Sequence, residues 1–185
     1  MKIQKVFFVI ATLIAIIPLS IGCKEKKCKN HPVANDSIFA YTSLDLALWN
    51  GGKSISLDIL SQLKDSCIRF GINPSEPILI LRYSRYSCEP CVEFAVTEFE
   101  HFVNNKSFKQ YLTIVSDFQK RDLPKNRHLI NLEKRDLGIP MDKCDIPYIC
   151  IVNGGVINSM IMPDKKYQKY LDFYFHRIES LSLIK

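Results

Sequence analysis

Two cysteines three positions apart, in the run Cys88-Glu89-Pro90-Cys91, are the residues of this sequence best suited to do chemistry. At the first turn of a helix such a pair can close a small disulfide ring, and the positive end of the helix dipole stabilises a thiolate on the first cysteine. Pro90 suits that turn, where the N–H it lacks would have no partner. Cys91 then begins inside the helix and is the more buried, so Cys88 is the expected attacking thiolate and Cys91 the resolving thiol. Zinc also uses Cys-x-x-Cys, but it needs a second pair of ligands. The four histidines, His31, His101, His128 and His176, stand alone, and His101 falls on the helix after the motif as an expected surface residue. Redox chemistry therefore leads, ahead of a purely structural disulfide and of metal binding.

Those cysteines need a strand before them and a helix after them, and the apolar pattern supplies both. Pro77 to Tyr83 is a short apolar run between turn signals, which predicts a buried strand. After the motif, Val92, Phe94 or Ala95, Phe99, Phe102 and Val103 mark one apolar helical face. Upstream, Leu57, Leu60, Leu63, Cys67 and Phe70 recur at helical spacing between Ser56, an N-cap candidate, and Gly71, a helix stop. Downstream, Leu112 to Val115 predicts a second strand, and the charged stretch Asp117 to Arg135 a further helix whose start Pro124 blurs. Tyr148 to Val152, Asn153-Gly154-Gly155 and Val156 to Ile161 predict a β-hairpin, because Asn-Gly favours the left-handed turn that antiparallel strands need. Tyr167, Tyr170 or Leu171, Tyr174 or Phe175 and Ile178 mark an amphipathic last helix between Asp164 and Ile184. Strand, motif, helix, strand, helix, hairpin, helix is an α/β order with mixed parallel and antiparallel pairing.

With these elements in place the chain resembles the thioredoxin superfamily, and within it the exported TlpA-like thiol-disulfide oxidoreductases. The resemblance rests on the strand Ile78 to Tyr83 leading to Cys88-Glu89-Pro90-Cys91 and a helix, on Ile146-Pro147 immediately before a strand, and on the hairpin and last helix that follow. It covers about Glu76 to Ile178, just over half the chain. It implies a three-layer α/β/α domain with a mixed central sheet and a redox-active Cys88–Cys91 disulfide. It also implies a cis Ile146–Pro147 bond, with Pro147 beside Cys88 presenting backbone on which an extended substrate can pair. The ordinary alternative for Pro147 is a strand-start proline. Its place 56 residues after Cys91 fits a member with an insertion between the central elements.

Two residues depart from the family's pattern. Ser87 precedes Cys88 where Trp is usual, leaving Tyr86 as the nearest aromatic platform, and Arg82 stands six residues before Cys88 where thioredoxins carry a buried Asp for proton transfer. A guanidinium pointing inward there would stabilise a nearby thiolate and make the disulfide the stronger oxidant, whereas one pointing outward is a strand-end charge. Glu89 or Glu93 are the candidate substitutes in the proton relay. Among the remaining cysteines, Cys67 and Cys150 read as core, Cys144 lies three residues before Pro147 as a structural residue or a third redox thiol, and Cys28 lies on a tether.

Of 185 residues, 25 are Lys or Arg and 19 Asp or Glu, a net charge of +6 that would suit nucleic acid if spread over a folded face. It is not so spread: residues 1–29 hold six lysines and one acid, which leaves the other 156 residues at +1. Lys2 and Lys5 precede the apolar run Val6 to Ile17, followed by Pro18-Leu19-Ser20-Ile21-Gly22-Cys23, the layout of a secretory signal with an apolar stretch of about 7–15 residues. Gly22-Cys23 resembles a bacterial lipobox, with Ser20 where Leu is usual and Leu19 one position back. A lipid-anchored exported protein is the leading reading, followed by an uncleaved anchor and a plain cleaved signal; all three export the domain. The expected organisation is a signal peptide over residues 1–22, a lipid-attached tether over 23–35 and the folded domain over 36–185. The function expected is thiol-disulfide exchange with exported protein substrates and a redox partner protein, periplasmic and membrane-attached through Cys23, with no cofactor or metal and no nucleic-acid partner. The alternatives are a non-catalytic binding or scaffold domain with a structural Cys88–Cys91 bond, and a metallochaperone.

Overall fold

The computed structural model describes residues 44–180 apart from positions 46, 107 and 127. The signal, Cys23, the tether with Cys28, and His31 lie outside the described residues. Within them the order is α1 (Leu57–Phe70), β1 (Ile78–Ser84), α2 (Glu89–Asn105), β2 (Tyr111–Ser116), β3 (Leu129–Asn131), β4 (Tyr148–Asn153), β5 (Val156–Ile161) and α3 (Gln168–Ser180). The five strands form one mixed sheet in the order β3-β2-β1-β4-β5. β1 pairs parallel with β2, and β2 with β3; β4 runs antiparallel to both β1 and β5.

β1 is central and every residue of it is buried, as its unbroken apolar run requires of a strand covered on both faces. Its side chains alternate. Ile78 and Ile80 join a core built from Ile59, Leu63 and Cys67 of α1, whereas Leu79, Leu81 and Tyr83 join Ala95, Phe99 and Phe102 of α2 with Leu171, Phe175 and Ile178 of α3. Helices thus flank both faces, and the Phe102 and Phe175 rings, stacked 4.3 Å apart, fasten α2 to α3. Among the described residues no helix is long and apolar enough to cross a membrane.

Several expectations need correction. Leu60, Leu63, Cys67 and Phe70 of α1 meet the core as expected, but Ile59 turns inward at the start of the helix and Leu57 is left 84% exposed. Ser56 holds the N-cap position, but its hydroxyl bonds the Asp58 carboxylate, which this holds below its ordinary range, and caps no backbone N–H. Gly71 ends the helix in the left-handed region (φ 72°), and Ile72 N–H reaches back to Cys67 O at 2.8 Å.

Among its described residues the charged stretch 117–135 holds no α-helix, only a single 3₁₀ turn at Lys120–Asp122 and the strand β3. Asp117 and Glu133 take left-handed φ values of 64° and 57°, which no helix accommodates. The open edge of β2 offers backbone partners instead: Thr113 N–H bonds His128 O at 2.9 Å and Leu132 N–H bonds Val115 O at 2.8 Å. Ile130 and Leu132, two apart, then reach the α1-side core.

The hairpin turn forms with Gly154 and Gly155 at φ 59° and 83°. A side chain at Gly155 would be strained at that φ, and its Cβ, 2.7 Å from a Leu60 methyl, would force that leucine to turn aside. Residues 52–55, upstream of the resemblance, lie against the start of β5: Gly52 N–H bonds Ile157 O, Ile157 N–H bonds Lys53 O, and Ile55 N–H bonds Gly155 O, all within 3.0 Å. They cover backbone that an edge strand would otherwise leave open.

Candidate functional site

The registers collect the candidate residues at one end of the sheet. Ser84 of β1 pairs with Ser116 of β2, Arg82 with Tyr148 of β4, and Ile149 with Ile161 of β5. The carboxy ends of β1, β2 and β5 and the amino end of β4 therefore lie together. This end carries Cys88 and Cys91 after β1, Asp145 to Pro147 before β4, and Asp164 after β5.

Cys88 is the N-cap residue of α2 and is exposed; Cys91 lies in the first turn and is half-buried. Their sulfurs are 2.50 Å apart and their Cα atoms 5.2 Å, a separation within the range a disulfide spans. Val92 N–H bonds Cys88 O at 2.9 Å, closing the first turn, and Pro90 occupies its opening positions. Burial, with Cys88 and then Asp164 adding to it, pushes the Cys91 thiol up to about 12. A thiol so protonated is a poor nucleophile at neutral pH, which suits a group that waits for Cys88.

In the reduced protein, alkylation of Cys91 by iodoacetamide is expected to stay slow at neutral pH and to climb only as pH approaches about 12; peptide mass spectrometry after pulses at stepped pH reads this directly. Fast labelling near pH 8 would contradict the burial argument. The fold holds this proton more tightly than the unfolded chain, so the contribution of Cys91 to the stability of the reduced state is fully present below about pH 9 and is lost as pH rises toward 12.

Arg82 points inward and is 3% exposed. Its charge is matched rather than left to act on a thiolate: Nε lies 3.3 Å from Asp142 Oδ1, one terminal nitrogen donates to Ser116 Oγ at 2.9 Å, and the other donates to Tyr83 O. Asp142 accepts from the Tyr148 hydroxyl and from Leu137 N–H, each at 2.8 Å. Burial holds its carboxyl above the ordinary range, although Arg82, Tyr148 and Leu137 all pull it down. This network ties β1, β2, β4 and the segment before β4 together. The sequence offered no signal for it, because Asp142 lies 60 residues from Arg82 and only strand register brings them together.

Ser87 forms part of a tight turn. Its N–H bonds Ser84 O and its hydroxyl accepts from Ser84 N–H, each at 3.1 Å. Tyr86 is 71% exposed beside Cys88. Pro147 is buried at the head of β4, but no cis peptide occurs among the described residues, so the Ile146–Pro147 bond is trans. Trans is the ordinary form, favoured by about 0.5–1 kcal/mol in X–Pro bonds, and the reversal before β4 is made by Asp145 in left-handed backbone (φ 51°). Glu89 and Glu93 are exposed on α2.

Cys67 and Cys150 are fully buried core thiols; burial pushes Cys67 up to about 11 and Cys150 higher still. Cys144, half-buried, packs against the α1-side core. His101 is exposed and hydrogen-bonds Asn105 at 2.8 Å. Among the described residues no three His, Cys, Asp or Glu side chains cluster as ligands of a metal ion would. No family model, curated protein or solved structure matches the chain.

Proposed function

We propose that the chain performs thiol-disulfide exchange with exported proteins, on a thioredoxin-like domain carried out of the cytoplasm by residues 1–22 and held to a membrane through lipid on Cys23. One observation carries the chemical part: an exposed Cys88 at the amino end of α2, with a half-buried, proton-holding Cys91 at disulfide distance behind it. In the reducing direction the Cys88 thiolate attacks one sulfur of a partner disulfide. That S–S bond breaks, the first partner thiolate leaves and takes up a proton, and a mixed disulfide remains on Cys88. Cys91 then attacks Cys88 Sγ, the Cys88–partner S–S bond breaks, and the proton Cys91 gives up passes to the second partner thiolate as it leaves. The pair loses two electrons and the partner gains them; the oxidising direction is the same sequence reversed. The pair itself carries the electrons, and Pro147, at the same end of the sheet, is proposed to flank the docked partner segment.

The competing reading is a binding or scaffold domain whose Cys88–Cys91 bond is structural, and the inward Arg82, neutralised by Asp142 where a free buried acid would serve proton transfer, is the feature that favours it. Equilibration in glutathione buffers separates the two. An exchange pair is expected at about −120 to −270 mV, the span of known exchange enzymes, and a value below about −300 mV would assign the bond a structural role.

A further inference from the structure

Ser84, the last residue of β1 and 8% exposed, sits between the loop that carries Cys88 and the loop that leads to Pro147. The pairing of Arg82 with Tyr148 brings it level with the residues just before β4. Its hydroxyl lies 3.1 Å from Asp145 Oδ1, and because a carboxylate only accepts, the single hydroxyl proton goes to Asp145. The lone pairs of the same oxygen then receive Tyr86 N–H at 3.2 Å and, at 3.4 Å, the Ser87 hydroxyl. The turn from Ser84 to Ser87 and the Asp145 carboxylate thus form one directed chain of hydrogen bonds, Ser87 to Ser84 to Asp145. It joins the residue next to Cys88 to the residue two before Pro147.

We propose that Asp145 is a positioning residue for exchange: through Ser84 and Ser87 it fixes the spacing between the Cys88 loop and the Pro147 loop, and so fixes how an extended peptide segment lies against Cys88. The inference rests on the exchange reading above. A partner peptide must lie across both loops, so its binding senses their separation; a small disulfide needs only the exposed Cys88 sulfur. Asp145 also makes the turn into β4 in left-handed backbone (φ 51°), a conformation that Asp, Asn and Gly tolerate. Two substitutions therefore separate side chain from backbone. Asp145→Gly keeps the turn and removes the acceptor, and Asp145→Asn keeps both. Ser84→Ala breaks the chain from the other side.

The test uses the full chain in its reduced form, with single-turnover kinetics toward an unstructured peptide bearing one disulfide and toward bis(2-hydroxyethyl) disulfide. Asp145→Gly and Ser84→Ala are expected to raise the half-saturating peptide concentration about tenfold, the scale of one lost hydrogen bond to a charged group, with the limiting rate retained. Rates with the small disulfide should stay within about twofold, and Asp145→Asn should restore peptide binding; the double variant should be no worse than either single one. Unchanged peptide saturation in both Asp145→Gly and Ser84→Ala would overturn the proposal. So would an equal loss on both substrates, which would mean damage to Cys88 itself. If Asp145→Gly does not fold, Ser84→Ala and Asp145→Asn decide alone. An unsubstituted chain inert toward both substrates would defeat the exchange reading, whereas an active chain indifferent to these changes defeats only the positioning role.

Discussion

Asp142→Ala is expected to lower the unfolding free energy by about 3–5 kcal/mol, the usual loss when one partner of a buried ion pair is removed. The Asp142 side chain has no exposure and that of Arg82 has 4%. Without the carboxylate, the guanidinium stays buried against neutral acceptors only, Ser116 Oγ and Tyr83 O, while the Tyr148 hydroxyl and Leu137 N–H lose their acceptor. Burial outweighs every favourable contact in setting the Asp142 carboxyl above its ordinary range, so holding the charges inside is itself costly. It follows that Arg82→Met with Asp142→Leu should recover most of the loss, since no unmatched charge then remains. Denaturant unfolding of the two single variants and the double one measures this. A loss below about 1 kcal/mol in Asp142→Ala would mean that water reaches the pair.

Cys88→Ser is expected to abolish exchange, by about a thousandfold or more, as loss of a covalent nucleophile does. Cys67 and Cys150 offer no substitute: both are fully buried, and burial keeps both protonated. The fold should survive, because Cys88 is exposed and a ring spanning three residues constrains the unfolded chain little. Single-turnover rates with bis(2-hydroxyethyl) disulfide, beside a thermal melt, separate the two effects. A variant that melts normally and still exchanges would move the chemistry to another thiol, and Cys144 would be the residue to replace next.

What the sequence revealed and what it hid divide along physical lines. β1, the hairpin and α2 were legible because each is set by local rules: an apolar run between turn residues, Asn-Gly-Gly at a tight turn, and apolar residues at helical spacing. The motif's place at the head of α2 followed from the same pattern. The stretch 117–135 misled because its charges suggest a solvated helix, whereas Ile130 and Leu132 carry a two-residue alternation that matters only once β2 presents an open edge. α1 misled in detail, since the leucine spacing placed Leu57 inside and the contact with the sheet put Ile59 there.

The site divides likewise. Cys88 and Cys91 announce themselves by spacing, but Asp142, Asp145 and Ser84 acquire roles only through the register of β1 against β4, across some 60 residues of chain. Arg82 shows the limit most clearly. Its type was readable and its inward direction was one of two options, yet its effect depends on a carboxylate whose position no local pattern marks.

In the proposed exchange Cys88 attacks and Cys91 resolves. Reduced full-length chain carrying Cys91→Ser, mixed with the single-disulfide peptide and followed by mass spectrometry, tests it most directly. The expected result is a peptide adduct on Cys88 that persists for hours and is released by dithiothreitol, while the unsubstituted chain, in which Cys91 completes the reaction, accumulates none. Absence of a Cys88 adduct, or equal accumulation in the unsubstituted chain, would contradict it.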